Sequence, residues 1–112
     1  MSHNLSKKVT VEWAPFQLAA GVDEAALLAA SAALQSEFVS KQSGFIKREL
    51  VKAKDNQWVD LVYWHSLEEA EQAARNAMNS PVCLKYFELM VFPDPADPSA
   101  GVMHLEVVKT YP

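Results

Sequence analysis

The stretch Trp58-Val59-Asp60-Leu61-Val62-Tyr63-Trp64 decides the fold. Side chains alternate across an extended strand, so Trp58, Val62 and Trp64 share one face while Val59, Leu61 and Tyr63 share the other. Both faces are apolar, as expected of a central strand with cover on each side. An antiparallel sheet usually packs one face and wets the other. Leaving three large side chains in water would forfeit ~1.5–3 kcal/mol each and present an aggregation-prone patch.

Working outward, Lys54-Asp55-Asn56-Gln57 reads as a tight turn, and Phe45 to Ala53 reads as the antiparallel partner strand. Its register stays open: a turn of two or of three residues decides whether Arg48 or Glu49 shares a face with Asp60 and Trp64. Ser66, followed by Glu69, is a capping box that starts a helix at Leu67 running toward Met78. Ser80-Pro81 starts a shorter helix bearing Cys83 and Phe87.

Toward the N-terminus, Asp23 is the expected cap of a helix through Leu27, Ser31, Leu34 and Phe38 to about Lys41, with Gly44 just past its end. Val9, Val11 and Trp13 alternate with Thr10 and Glu12, which predicts a first strand over 8–14 that Pro15 disturbs. Toward the C-terminus, Pro93, Pro95 and Pro98 exclude regular structure before a final strand over 102–110. The order strand, helix, strand, strand, helices, strand is the ferredoxin-like βαββαβ of an α+β domain with a four-stranded antiparallel sheet. Its helices cover one face, and a second copy of the chain is expected to cover the other. Residues 1–7 form a polar, flexible tail, and 8–112 form the single domain.

Composition narrows the function. The 112 residues carry a formal charge of −4, without the basic stripe of a nucleic-acid binder. One cysteine excludes an internal disulfide and thiolate metal clusters, and with no apolar run of signal-peptide or membrane-span length it predicts a cytoplasmic protein away from membranes. Three scattered glycines exclude a phosphate-cradling loop.

Among candidate site residues, Asp60 is expensive to bury unless paired with Arg48 or Lys52, or kept as a base of raised pKa. His65 and His104 are candidate proton shuttles, but their spacing with Asp60 has no metal-site signature, so no metal is expected. Cys83 is a small core hydrophobe or, near a helix start, a reactive thiol of a stress protein. Trp13, Trp58, Trp64, Tyr63, Tyr86 and Phe87 offer aromatic surface for a flat ligand, or plain core.

Gly44-Phe45, the hairpin ending in Val62-Tyr63-Trp64, and Ser66 to Ala74 resemble the dimeric α+β barrel superfamily, and within it the antibiotic-biosynthesis-monooxygenase-like proteins. The resemblance covers roughly residues 8–110. It implies a homodimer packed sheet to sheet and a pocket between sheet and helices for a small aromatic or quinone-like molecule. It further implies a monooxygenase working without a cofactor, or a non-catalytic binding protein of the same fold. Trp64 matches a pocket tryptophan of oxygenase members. The first-strand asparagine of those members has no counterpart beside Glu12 and Trp13. Cys83, Lys85, Tyr86 and Phe87 stand where haem-degrading members carry a ligand histidine. The resulting expectation is a catalytic group of Asp60, His65 and Trp64, with ligand contacts from Trp13, Trp58, Cys83, Tyr86, Phe87 and His104.

Overall fold

A computed structural model describes residues 8–94, 96–97 and 99–112. The expected tail, residues 1–7, lies outside the described residues, as do Pro95 and Pro98. The elements are β1 (Thr10–Leu18), α1 (Glu24–Glu37), β2 (Phe45–Lys52), β3 (Gln57–Trp64), α2 (Leu67–Ala77), α3 (Pro81–Phe87), β4 (Met90–Val91) and β5 (Met103–Glu106), with a short 3₁₀ turn at Val39–Lys41. All pairings are antiparallel, in the order β2-β3-β1-β4, and β5 also pairs with β1. This is the ferredoxin-like α+β arrangement, with one change. The fourth position of the sheet is shared by two short strands, β4 beside the end of β1 and β5 beside its start.

The division follows from chain length. Val91 lies opposite Gln17 and Met103 opposite Trp13, so residues twelve apart in number face β1 residues only four apart. The excess chain loops out between them. That loop also explains why β1 runs through Pro15 to Leu18 instead of stopping at 14. Val9 O accepts from Val107 N and Ala19 N donates to Leu89 O, both at 2.9 Å, so the odd-numbered residues of β1 aim their backbone groups at the β4/β5 edge. The N–H that Pro15 lacks would point into the gap between the two short strands, where no ladder bond is lost. Pairing of β1 with β3 continues unbroken from Thr10↔Trp64 to Gln17↔Gln57. The last strand is also shorter than the expected 102–110, because beyond Glu106 the chain leaves the ladder after the bond from Val107.

The β2–β3 hairpin turns through Asp55 and Asn56, whose φ of 59° and 61° are the left-handed pair that matches strand twist, and Ala53 N donates to Gln57 O at 2.7 Å, which leaves three residues, 54–56, between the last paired positions. Its register puts Arg48 opposite Val62 and Leu50 opposite Asp60, so Arg48, and not Glu49, shares the face of Asp60 and Trp64. An extra residue, Ile46, bulges between the pairs Phe45↔Trp64 and Lys47↔Tyr63.

Helix starts follow the local signals. Asp23 accepts from Ala26 N at 2.9 Å, and Ser66 accepts from Glu69 N at 3.3 Å while its hydroxyl donates to Glu69 Oε1 at 3.1 Å. Helix α1 is shorter than expected, ending at Glu37 before the 3₁₀ turn. Gly44, at φ 83°, turns the chain into β2, and a Cβ there would run into the Glu69 carboxylate.

The core lies between the helices and one sheet face: Phe16, Trp58, Val62 and Trp64 from the sheet meet Leu27, Leu34, Ala70, Ala73, Cys83 and Tyr86 from the helices. Among the described residues, no helix covers the other face. It carries Val11, Trp13, Val59, Leu61, Tyr63, Met103 and Leu105, of which Trp13, Met103 and Leu105 are exposed.

Candidate active site

Between sheet and helices the fold encloses a cavity of about 380 Å³. Its wall is mostly apolar, with Phe16, Val62 and Trp64 on the sheet side, Leu34, Phe38 and Phe87 on the helix side, and Phe92, Ser99 and Val102 from the looped-out segment. Ala73, Ala74 and Ala77 of α2 also line it, and their small side chains leave room above the sheet. Two polar groupings break this surface.

The first is built around Asp60, on the helix-facing side of β3. Arg48 Nε donates to Asp60 Oδ1 at 2.8 Å and Arg48 Nη2 donates to Oδ2 at 3.1 Å, a two-pronged pair. The Tyr86 hydroxyl donates to Asp60 Oδ2 at 2.8 Å and accepts from Arg48 Nη2 at 3.0 Å. Arg48 also reaches Ser31 Oγ at 2.8 Å, the Ser31 carbonyl at 3.2 Å and Gln35 Oε1 at 3.4 Å, which ties β2 to α1. Burial opposes the Arg48 charge, but hydrogen bonding to Asp60 and its attraction hold the guanidinium above its usual range. Burial, then the Asp60 charge, pushes the Tyr86 hydroxyl well above the ordinary phenol range, so it stays protonated and donating. Asp60 is therefore paired with Arg48, and both of its oxygens are engaged.

The second grouping lies where β1, β3 and β5 meet. Glu12 stands opposite Val62 on one side and opposite His104 on the other. The Trp64 indole N–H donates to Glu12 Oε1 at 3.2 Å, and His104 Nε2 lies 3.8 Å from the same oxygen. That separation becomes an ion pair only when the imidazole is protonated and is too long for a hydrogen bond, and His104 Nε2 is buried with no hydrogen-bond partner among the described residues. The Glu12 carboxylate, the acceptor facing it, raises the His104 pKa against the opposing effect of burial, and Glu71 adds to the rise.

Of the residues singled out from sequence, the cavity brings together Asp60, Trp64, Cys83, Tyr86, Phe87 and His104. It does not gather Trp13, Trp58 or His65. Trp13 lies on the uncovered sheet face, because in β1 Thr10, Glu12, Ala14 and Phe16 are the residues that face the helices. Trp58 is buried in the core, stacked on Phe16 with ring centroids 6.3 Å apart, outside the cavity lining, and its indole N–H has no hydrogen-bond partner among the described residues. His65 follows Trp64 onto the opposite side and is exposed. Cys83 is 1% exposed, and burial pushes its thiol up, beyond what the Ser80 hydrogen bond and the Arg48 charge take back. The lowered pKa expected of a reactive thiol is thus reversed.

Sequence reasoning missed Glu12 and placed Arg48 only as an alternative. The available signal was the same for Glu12 as for Asp60: a carboxylate within an apolar strand. Among the described residues, no group of three or more His, Cys, Asp or Glu could hold a metal ion, and no helix is long and apolar enough to cross a membrane.

No family model matches the sequence, and no curated protein is a significant match. Solved structures do match. One is a protein from Bordetella bronchiseptica classed with the antibiotic biosynthesis monooxygenases: TM-score 0.62, 17% identity, over 93% of this chain and 99% of that one. A counterpart from Nitrosomonas europaea, classed likewise, gives 0.61 at 12% identity, over 95% and 94%. SnoaB, a cofactor-independent oxygenase from Streptomyces nogalater, gives 0.58 at 17% identity, over 95% and 96%. The chain thus has the fold of the antibiotic-biosynthesis-monooxygenase-like proteins along nearly its whole length.

Proposed function

We propose that this protein is a cytoplasmic, cofactor-independent-monooxygenase-like homodimer that takes a small aromatic or quinone-like molecule into the cavity beside Trp64. The observation that carries this reading is the cavity itself: about 380 Å³, walled mostly by aromatic and aliphatic side chains, with the polar side chains of Arg48, Asp60 and Tyr86 gathered at one place and those of Glu12 and His104 at another. A few polar groups set in an apolar wall are the usual make-up of a site for a flat, weakly polar ligand.

An electron-rich phenolate or hydroquinone anion can itself reduce dioxygen. For a phenol that carries a ring methylene, two C–H bonds and the O–O bond break. One oxygen atom becomes the new carbonyl and the other leaves as water, so no external reductant is needed. In this reading Trp64, Tyr86 and Phe87 contact the ligand, while Asp60 holds Arg48 and Tyr86 in place.

A second copy is the proposed cover for this sheet face, since an apolar patch bordered on β2 by Lys47 and Glu49, charges of opposite sign, can pair with itself about a twofold axis. Light scattering on Leu61→Asp should then show a single subunit where the native chain shows a pair; a native chain that is monomeric at low micromolar concentration would remove the dimer.

The activity test is oxygen uptake by metal-free protein given phenols, anthrones and quinols. Substrate-dependent uptake that falls in Trp64→Phe supports the reading. Ligand binding without turnover would make the protein a non-catalytic binder, and no binding to any of them would refute the site.

A further inference from the structure

His104 Nε2 is a buried nitrogen without a hydrogen-bond partner among the described residues, on the wall of a mostly apolar cavity and 3.8 Å from a carboxylate oxygen. Unsatisfied buried polar atoms are costly and uncommon. The neighbouring carboxylate is held in place: Glu12 Oε1 accepts from Trp64 Nε1 at 3.2 Å, a bond that a swing onto His104 would weaken. We infer that His104 and Glu12 form the proton-accepting end of this cavity, with His104 Nε2 as the acceptor and Glu12 as its counter-charge, and that they select a ligand bearing a weakly acidic aromatic hydroxyl. This rests on the cavity reading above and names the chemistry of one end of it.

The step is a single proton transfer. The ligand O–H bond breaks, an N–H bond forms at His104 Nε2, and the electron pair stays on oxygen as a phenolate. The imidazolium so formed is stabilised by Glu12 and in turn faces the phenolate. Asp60 is less suited to this task, because both of its oxygens already accept hydrogen bonds from Arg48 and Tyr86. The other ionisable groups toward His104 are Glu71 of α2, whose negative charge acts in the same sense, and Glu106, which shares its face on β5. Across the cavity wall stand Cys83 and Tyr86, both with raised pKa values, and the mutually neutralising pair Arg48 and Asp60.

The test uses the full chain and 4-nitrophenol, whose anion absorbs visible light while its neutral form does not. Binding is followed by quenching of tryptophan fluorescence, and ionisation by absorbance, between about pH 5 and 9, a range spanning the reference histidine value. The bound probe should show an apparent pKa lower than that of the free probe by about one unit. His104→Gln should bind the probe yet lose that shift, and Glu12→Gln should diminish it, with circular dichroism checking that both fold. A bound probe of unshifted or raised pKa in the native chain overturns the assignment while leaving the cavity as a binding site, and shows that Nε2 meets only a water. So does a shift retained in both variants. Absence of binding to the native chain removes the cavity reading, and this inference with it.

Discussion

Replacing Asp60 by asparagine keeps the shape of the side chain and removes its charge, which leaves the Arg48 guanidinium, with only 6% of its side chain exposed, without a counter-ion. Asp60 receives two hydrogen bonds from Arg48 and one from Tyr86. At ~1.5–3 kcal/mol for each bond to a charged group, the gross figure would be roughly 4.5–9 kcal/mol. The carboxylate's own desolvation offsets part of this, and measured losses for breaking one side of a buried pair are about 3–5 kcal/mol. Against the roughly 5–15 kcal/mol by which a domain of this size is stable, that is a large fraction. At a urea slope of about 1.5–2 kcal/mol/M, the unfolding midpoint should fall by roughly 2 M with the slope unchanged. The double replacement Arg48→Met with Asp60→Leu should recover much of the loss, since an apolar pair of similar volume needs no counter-charge. A midpoint shift corresponding to under about 1 kcal/mol, the size of a solvent-exposed pair, would refute the idea that this network joins β2, β3, α1 and α3.

Gly44→Ala should destabilise by about 1–2 kcal/mol in the same urea assay, because φ is 83° there and the new Cβ would displace the Glu69 carboxylate from its place in the α2 cap; an unchanged midpoint would refute this. Cys83 should resist alkylation in the folded protein at pH 7 and react readily in urea, since the thiol is buried and its pKa raised; rapid labelling of the native chain would count against the structure at α3. His104 has a folded-state pKa raised by Glu12, so its contribution to stability is fully present below the unfolded value of ~6.5 and is lost as pH rises through the folded value. Urea midpoints measured across that window should therefore decline with pH from this site, and Glu12→Gln should flatten the decline.

Most of the architecture was legible because β3 is so plainly two-sided and because caps and turns carry local chemistry. Asp23, Ser66, Gly44 and the Asp55-Asn56 turn each sit where their side chain or left-handed backbone is needed. The failures are non-local. Alternation in Val9 to Trp13 marks a strand but not which of its faces meets the helices. With apolar residues on both sides of the sheet, Trp13 is the expected ligand contact, whereas the structure lines the cavity with Glu12 and puts Trp13 on the opposite face. Continuation of β1 through Pro15 depends on a gap left by chain eighty residues away, which no window around Pro15 contains. Likewise Arg48 could be assigned to the site only once the three-residue connection 54–56 had fixed the hairpin register.

The loop between β4 and β5 separates two demands that usually conflict. It departs from an edge of β1 and returns to it, while the β1–β3 ladder continues beneath without interruption. Changes in its length or sequence are therefore absorbed outside the sheet. Yet Phe92, Ser99 and Val102, carried on or beside it, form part of the cavity wall. The shape of the cavity can thus be altered in this segment while the core around Trp58, Val62 and Trp64 stays as it is, so that the wall and the scaffold can vary independently.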